Sequence, residues 1–324
     1  MKLKETIVHV TTAATPFLDK YQRVMVACSG HADSTALFHI LRHVADAKKK
    51  FTLGLIHFNF GLRGEDSKDD QIFVEGLANK YGFSMDLRLV GRDFPPRSRS
   101  ENLQNWARNV RRQAFAELQE KGVAVAVGHH QEDQAETVLM RLARGVGVEQ
   151  LIGINEFNGG IWRPLLKYKK SDLEILLKEN GWSHRHDLTN DKIEFSRNAI
   201  RHLVLPELER LYPGATERIV RTAQDAAELS AVARGSARFQ EDEQGAWLDA
   251  SWVREAVDSL ALSSLVELVV AQKPERPQLS RRELSKFLDS VRKKKTRARI
   301  QLGRHGWLID DNGKIRWKDQ SFPS

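Results

Sequence analysis

The chain has 324 residues, of which 41% are hydrophobic, a formal net charge of +8 and a single cysteine. This length is sufficient for two domains with full cores, and the lone Cys28 excludes an internal disulfide and a cysteine-based zinc site. No apolar run approaches the ~18 residues of a membrane span, and the first residues lack the apolar segment of a signal peptide. We therefore expect a cytoplasmic protein with no membrane partner.

Short apolar runs alternate with amphipathic segments over the first part of the chain. The runs predict strands at 24–28, 51–58, 85–90 and 123–128, and the intervening segments predict helices at 34–47, 66–80 and 102–120. Regular alternation of strand and helix is typical of a doubly wound, mainly parallel α/β sheet. Ligands of such sheets bind at the carboxyl ends of the strands.

The remainder of the chain has a different pattern. Residues 206–270 predict helices, and alternation over 298–317 around Asp311-Asn312-Gly313 predicts a β-hairpin. We therefore expect an α/β domain over 1–205 and a mostly helical region over 206–324 that ends in this hairpin. Nine Lys and Arg lie between 281 and 299 against Glu283 and Asp289. This charge favours a nucleic-acid partner, with a solvated charged face as the alternative.

The loop after the first predicted strand, Ser29-Gly30-His31-Ala32-Asp33-Ser34, has the features of a phosphate-binding turn. A helix N-terminus offers free backbone N–H groups, and small residues allow a phosphate chain to approach closely. Asp33 is suited to hold Mg²⁺ beside such a chain. The loop lacks the lysine of the Walker motif, and an ordinary strand–helix turn is the alternative.

A second polar segment, Gly128–Thr137, follows the fourth predicted strand. Asp133 and Glu136 are three residues apart and therefore share a helix face. His129, His130 and Asp133 suggest a metal site only weakly, because no further cluster supports a zinc centre. An acidic turn that caps the helix explains the carboxylates equally well.

Several segments, in chain order, resemble the tRNA(Ile)-lysidine synthetase family of PP-loop ATP pyrophosphatases. They are Ser29–Ser34, His57–Gly64, Glu101–Arg112, Gly128–Arg144, Arg163–Leu166, Asp187–Asn190 and Phe195–Arg201. The first of them alone would indicate only the superfamily. The R-N-x-I-R pattern that ends at Arg201, following D-x-x-N, makes the resemblance specific.

The resemblance implies ligation of L-lysine to the wobble cytidine of the CAU-anticodon isoleucine tRNA, with ATP and Mg²⁺ as cofactors. ATP first adenylates the cytidine and releases pyrophosphate, and the lysine ε-amine then displaces AMP. Asp33 would hold the metal, Asp133 would orient or deprotonate the amine, and Arg201 would stabilise the leaving AMP. A homodimer is one option for the assembly.

The resemblance also assigns binding roles, for which surface ion pairs are the alternative at each arginine. ATP-binding residues would be Ser29, Gly30, His31, Ala32, Asp33, Ser34, His57, Arg108 and Gly128. tRNA-binding residues would be Arg63, Arg112, Arg197, Lys293, Lys294 and Lys295.

Two positions depart from the family pattern, which has glycine in place of His31 and a histidine in place of Phe60. If the loop needs a positive φ at position 31, the histidine would be strained, although its ring is also able to donate to a phosphate. The alternatives are a PP-loop tRNA thiolase, a small-molecule amide ligase, and an RNA-binding homologue with weakened ATP chemistry.

Overall fold

The computed structural model describes residues 3–48, 51–98, 101–146, 151, 153–185, 196–236, 239–272, 281–293, 298–302 and 306–319. The chain divides into two compact units. The first contains residues 1–137 and 154–218, and the second contains residues 138–153 and 219–324. The sequence predicts a domain boundary between residues 205 and 206. These contact-based units do not test that boundary, so it stays a prediction.

The first unit is built on a six-stranded sheet. Its strands are β1 (Arg23–Ala27), β2 (Thr52–Asn59), β3 (Ser84–Leu89), β4 (Val123–Val127), β5 (Phe157–Asn158) and β6 (Ile161–Trp162). The spatial order is β3-β2-β1-β4-β6-β5, and every neighbouring pair is parallel except β5 with β6. The predicted mainly parallel sheet is therefore confirmed, and β1 to β4 begin and end within one residue of the predicted strands.

Helices pack on both faces of this sheet because its strands are apolar on both sides. The helices that begin in the first unit and precede α9 are α1 (Leu3–Leu18), α2 (Ala32–Lys48), α3 (Glu65–Tyr81), α4 (Leu103–Glu120), α5 (Gln131–Ala143), α6 (Lys170–Glu179), α7 (Ser196–Ala199) and α8 (Leu205–Leu211). A π-helical turn, Ile200–Val204, joins α7 to α8. Val24 and Val26 of β1 belong to a core with α2, whereas Met25 faces the other side and packs with Phe115 of α4.

The second unit contains an antiparallel sheet of order β7-β8-β11-β10-β9. Its strands are β7 (Phe239–Asp242), β8 (Gly245–Asp249), β9 (Arg299–Leu302), β10 (Gly306–Asp311) and β11 (Lys314–Asp319). Its helices are α9 (Ala215–Ser236), which begins in the first unit, α10 (Ala250–Glu255), α11 (Asp258–Gln272) and α12 (Arg281–Arg292). Leu248, Leu265, Phe287 and Leu308 form the centre of its core.

The predicted hairpin is confirmed as β10 and β11. Asn312 and Gly313 make its two-residue turn with φ of 52° and 87°, as a type I′ turn requires. The prediction of helix throughout 206–270 is wrong at 239–249, where β7 and β8 form a second hairpin. All four residues of β7 are exposed, so the strand has no apolar alternation that would distinguish it in the sequence. Among the described helices, none has the length and apolar character that a membrane crossing needs.

Candidate active site

The polar segments after β1 and β4 meet because these two strands are adjacent and in register. Gly128 makes the close approach feasible. A Cβ at this position would lie 3.1 Å from the carbonyl oxygen of Asp33 and 3.2 Å from the backbone nitrogen of Ser34. Any larger residue would therefore push the end of β4 away from the first turn of α2. The structure places the predicted Gly128 and the predicted phosphate loop in direct contact.

The phosphate loop, Ser29–Ser34, folds around the Ser34 hydroxyl. Ser34 Oγ accepts from the backbone N–H of Ser29 at 3.1 Å, lies 3.0 Å from Ser29 Oγ, and donates to the His31 carbonyl at 3.1 Å. Thr35 Oγ1 donates to the Gly30 carbonyl at 3.0 Å. The loop is thus held by its own hydroxyls at the N-terminus of α2. This position suits an anion.

Gly30, and not His31, is the loop residue that needs a left-handed backbone. Its φ is +89°, whereas the only described non-glycine residue with a positive φ is Asn312. The condition under which His31 would be strained is therefore not met. His31 Nε2 lies 3.7 Å from Asp70 Oδ2 of α3, so its ring is directed towards this carboxylate.

Asp70 is a buried carboxylate that gathers two guanidinium groups and one imidazole ring around the loop. It accepts from Arg63 Nη2 at 2.5 Å and from Arg185 Nε at 3.2 Å, and His31 is its third neighbour. Arg63, predicted to bind tRNA, is thus ion-paired within the protein, and its binding of tRNA stays a prediction. Sequence reasoning missed Asp70 and Arg185, because 115 residues separate them.

The segment Trp182–Arg185, here called the strap, crosses the phosphate loop. The backbone N–H of Arg185 donates to the Gly30 carbonyl at 2.9 Å. At the other end of the strap, Trp182 stacks on His39 of α2 with ring centroids 4.1 Å apart. Burial and the charge of Arg42 lower the pKa of His39 to about 3, so this ring stays neutral. The strap therefore fastens Gly30 to both α2 and α3.

His57 and Cys28 lie behind the loop. His57 Nδ1 donates to the Cys28 carbonyl at 2.8 Å and so links the ends of β2 and β1. Burial lowers the pKa of His57 and raises the pKa of the Cys28 thiol to about 11. At neutral pH the imidazole is uncharged and the cysteine is a thiol, which is a poor nucleophile.

A carboxylate–guanidinium cluster, made of Asp133, Glu136, Arg197 and Arg201, occupies the face of α5. Asp133 Oδ1 accepts from Arg197 Nη2 at 2.8 Å and from Arg201 Nη2 at 2.9 Å. The fully buried Glu136 accepts from Arg197 Nε at 2.7 Å and from Arg201 Nε at 2.6 Å. The structure thus brings together the predicted catalytic residues Asp133 and Arg201. Arg197, predicted to bind tRNA, joins them, and Glu136 completes the cluster.

His130 connects this cluster with the phosphate loop. Its Nε2 lies 3.6 Å from Asp33 Oδ2 and 3.5 Å from Asp133 Oδ2, and its Nδ1 lies 2.9 Å from Glu132 Oε2. Burial opposes the charged ring, but the surrounding carboxylates raise the pKa of His130 to about 10. His130 is therefore an imidazolium that bridges Asp33 and Asp133. It was not among the predicted site residues.

Asp133 is anionic in this environment. Burial alone would raise its pKa, but the charges of His130 and Arg197 lower it below the ordinary value. The backbone N–H of His130 also donates to Asp133 Oδ2 at 3.0 Å. A carboxylate with these partners is a weak base, because protonation would break favourable contacts.

Asp33 is the described residue best suited to a Mg²⁺ ion. Its Oδ1 is buried and has no hydrogen-bond partner among the described residues, which leaves a carboxylate oxygen available as a ligand. The same part of the chain contains no group of three or more His, Cys, Asp or Glu side chains that could hold a metal. Mg²⁺ commonly binds through one or two carboxylates and the phosphates of a substrate. The residues present fit that mode.

Arg108, Arg112 and Phe60 lie on or against α4. Both arginines are exposed, and the charge of Arg108 adds to burial in lowering the pKa of Arg163. Phe60 packs against Phe94 and Trp106, with centroids 5.3 and 5.2 Å away. Lys293 is exposed after α12, and Lys294 and Lys295 lie outside the described residues. The binding roles predicted for these residues are compatible with exposure but stay predictions.

Comparison with known proteins agrees with this geometry. The family model ATP_bind_3, described as a PP-loop domain, matches residues 2–208. A tRNA(Ile)-lysidine synthase of Porphyromonas gingivalis is 35% identical over 233 residues, which cover 70% of this chain and 49% of the relative. Those of Geobacter sulfurreducens and Chlorobaculum tepidum are 38% and 36% identical, over 65% and 58% of this chain and 45% and 57% of the relatives. The chain spans about half the length of the curated relatives it matches.

A solved structure shares the fold. It is the U34-tRNA thiolase NcsA from Methanococcus maripaludis with its 4Fe-4S cluster, which aligns with a TM-score of 0.56 and 20% identity. The alignment covers 69% of this chain and 78% of the thiolase. At this identity the likeness concerns the fold alone.

Proposed function

The chain belongs to the PP-loop domain family, and from that premise we propose that it ligates L-lysine to the wobble cytidine of the CAU-anticodon isoleucine tRNA with consumption of ATP. The observation that carries the proposal is the junction of the phosphate loop with the carboxylate–guanidinium cluster through His130. A nucleotide site at the loop and a carboxylate for the amine at Asp133 would thereby be adjacent. The relatives named tRNA(Ile)-lysidine synthase support the choice of substrates.

The first step is the transfer of the adenylyl group to the cytidine, with pyrophosphate as the leaving group. The phosphate loop would hold the departing pyrophosphate through the backbone N–H groups at the start of α2. Its hydroxyl contacts fix these groups before the nucleotide arrives, which reduces the reorganisation that binding requires. Exposed Arg108 would neutralise further phosphate charge. Asp33 would hold Mg²⁺, which would supply positive charge beside the phosphates.

In the second step the lysine ε-amine attacks the activated carbon, loses a proton and displaces AMP. Asp133 would orient the amine, rather than deprotonate it, because its oxygens already accept strong hydrogen bonds and its pKa is lowered. Arg201 lies beside Asp133 and would stabilise the negative charge of the departing AMP. Arg197 and Glu136 would hold this arginine in place.

The alternatives have less support. Sulfur transfer by a thiolase relies on paired cysteines or an iron–sulfur cluster, whereas this sequence has only Cys28, which is buried and has a raised pKa. An RNA-binding homologue without ATP chemistry would have no need of an intact phosphate loop. Here Gly30 takes the left-handed backbone that the loop requires, despite His31 beside it.

ATP–pyrophosphate exchange tests the proposal. We expect exchange with the CAU-anticodon isoleucine tRNA and none without tRNA, because the cytidine accepts the adenylyl group. Asp33→Asn should abolish exchange while the fold survives, since it removes the carboxylate suited to Mg²⁺. Exchange that proceeds without tRNA would point to a small-molecule ligase, and no exchange in the folded parent protein would overturn the proposal.

A further inference from the structure

His129 and Arg163 form a half-buried pair to which the reaction above assigns no role. Arg163 Nε donates to His129 Nδ1 at 3.2 Å, and Arg163 Nη1 donates to the carbonyl oxygen of Asn155 at 2.9 Å. The guanidinium is thus fixed at two of its nitrogens and directs a donor at one particular atom of the ring. His129 in turn follows Gly128 directly, at the edge of the sheet where ligands bind.

This contact determines the position of the proton on the imidazole. A guanidinium only donates and stays charged, so Nδ1 must accept and must carry no hydrogen. The single proton of a neutral ring then resides on Nε2. Burial, together with the charge of Arg163, lowers the pKa of His129 to about 4 against the opposing charge of Asp133, so the ring is neutral at neutral pH.

The other ring nitrogen of His129, Nε2, is not used by this contact. Within the described part of the chain it has no hydrogen-bond partner. The charges that affect the ring are those of Asp133, Arg163, Arg197 and His130, which belong to the carboxylate–guanidinium cluster and its surroundings. A donor at Nε2 therefore has no acceptor among the described residues and is available to a ligand.

Adjacent His130 has partners of the opposite charge. It lies among the carboxylates of Asp33, Glu132 and Asp133, whereas His129 accepts from a guanidinium. The two histidines differ because their partners differ. The sequence pair alone gives no indication of this, since Arg163 is 34 residues away.

We propose that Arg163 is a positioning residue, which holds His129 in the tautomer that presents Nε2–H as an uncharged hydrogen-bond donor to an oxygen of the nucleotide substrate. The identity of the ligand rests on the proposed function, whereas the tautomer does not. A fixed neutral donor binds a substrate oxygen without attracting the nearby carboxylates as strongly as an imidazolium would.

The tautomer is measurable by nitrogen-15 NMR of histidine-labelled protein, with His129→Gln used to assign the resonances. We expect protonated Nε2 and unprotonated Nδ1 in the parent protein. Arg163→Met should give a mixture of tautomers, and Arg163→Lys, which keeps a donor, should restore the parent pattern in part. Arg88→Met, which removes a partly buried arginine from β3, is the control for general effects on folding. Protonated Nδ1 in the parent, or an unchanged pattern in Arg163→Met, would overturn the inference.

The functional arm uses a non-hydrolysable ATP analogue and the exchange assay. Addition of the analogue with Mg²⁺ should shift the His129 Nε2 resonance, and Arg163→Met should lower kcat/KM on the order of tenfold. If Arg163 acts through His129, the double variant with His129→Gln should be no slower than His129→Gln alone. If the losses of kcat/KM in the two single variants multiply in the double variant, Arg163 does not act through His129. If the parent protein shows the expected tautomer but has no exchange activity, the proposed function is overturned and the pairing of Arg163 with His129 still holds.

Discussion

Asp133 shows most clearly how its surroundings limit what a single residue can do. Arg197, Arg201 and the backbone of His130 all donate to its carboxylate, and His130 adds a positive charge nearby. These contacts stabilise the anion and make it a weak base. We infer that its contribution to the second step is electrostatic, through the orientation of an amine that must lose its proton elsewhere, for example to water.

If Asp133 has this role, the Asp133→Asn substitution should slow the second step far more than the first. The amide keeps the shape of the carboxylate but removes its charge, so lysine transfer should fall by about 100-fold or more. ATP–pyrophosphate exchange should fall much less, because the adenylyl transfer does not use the amine. Asp225→Asn, at an exposed aspartate of α9, is the control. Equal loss of exchange and lysine transfer would show that Asp133 serves the first step as well.

His31 is a second residue whose surroundings predict the effect of a substitution, here on ATP binding. Its backbone does not need glycine, and its ring lies near Asp70. His31→Gly should therefore weaken ATP binding, because it removes this contact and adds flexibility that costs roughly 1 kcal/mol, or about fivefold in Kd. Measurement of the ATP Kd by calorimetry tests this, with tRNA affinity expected to stay constant.

His31→Gln is the matched variant, since it retains a polar side chain and the constrained backbone. We expect its ATP Kd to lie between those of the parent and His31→Gly. Tighter binding by His31→Gly would mean that the imidazole crowds the phosphates. Substitution of Phe60 by histidine is a poor rescue, because Phe60 packs among aromatic rings against Phe94 and Trp106.

Among the larger elements, the strap has the clearest effect on the site. It joins the phosphate loop through Arg185, α3 through Asp70 and α2 through the stack of Trp182 on His39. Each contact links parts of the chain that are distant in sequence. The loop geometry thus depends on tertiary contacts as well as on its own hydroxyls.

Trp182→Ala should release one end of the strap and raise the ATP Kd on the order of tenfold. Leu173→Ala is the control, because it removes a fully buried side chain from α6 and should cost about 2–5 kcal/mol of stability without touching the loop. Thermal unfolding and ATP titration of both variants test this. If Leu173→Ala weakens ATP binding as much as Trp182→Ala does, the strap has no specific role.

The sequence predicts the elements better than it predicts their contacts. Apolar runs locate β1, β2 and β4 because both faces of these central strands are buried, and motif spacing locates Asp33, Asp133 and Arg201. Exposed β7 leaves no such pattern. The contacts of Arg185 with Asp70 and of Arg163 with His129 are formed by folding, so local spacing gives no sign of them.

At the scale of the whole molecule, the net charge of +8 is concentrated in part near α12. Three exposed cations are spaced by four and then seven residues, and therefore share one helical face: Arg282, Lys286 and Lys293. The acidic Asp289 lies on the same face. We call these three cations the basic stripe. Their arrangement is suited to contact the phosphates of an RNA.

Neutralisation of the basic stripe by Arg282→Ala, Lys286→Ala and Lys293→Ala should weaken tRNA binding and flatten its salt dependence. The slope of log affinity against log salt should fall by about one unit for each cation that binds a phosphate in the parent protein. Neutralising the exposed Lys68, Lys121 and Lys178 changes the net charge equally and is the control. Equal slopes in the two triple variants would identify the stripe as a solvated face.

The central claim is that this chain transfers lysine to a tRNA cytidine with ATP, and the direct measurement is incorporation of radiolabelled L-lysine into tRNA. The substrate is the CAU-anticodon isoleucine tRNA, and the matched control carries uridine at the wobble position. We expect ATP-dependent labelling of the first tRNA, none of the second, and loss of labelling in Asp133→Asn. Absence of labelling by the folded parent protein, or labelling that is independent of ATP or of the wobble base, would contradict the account.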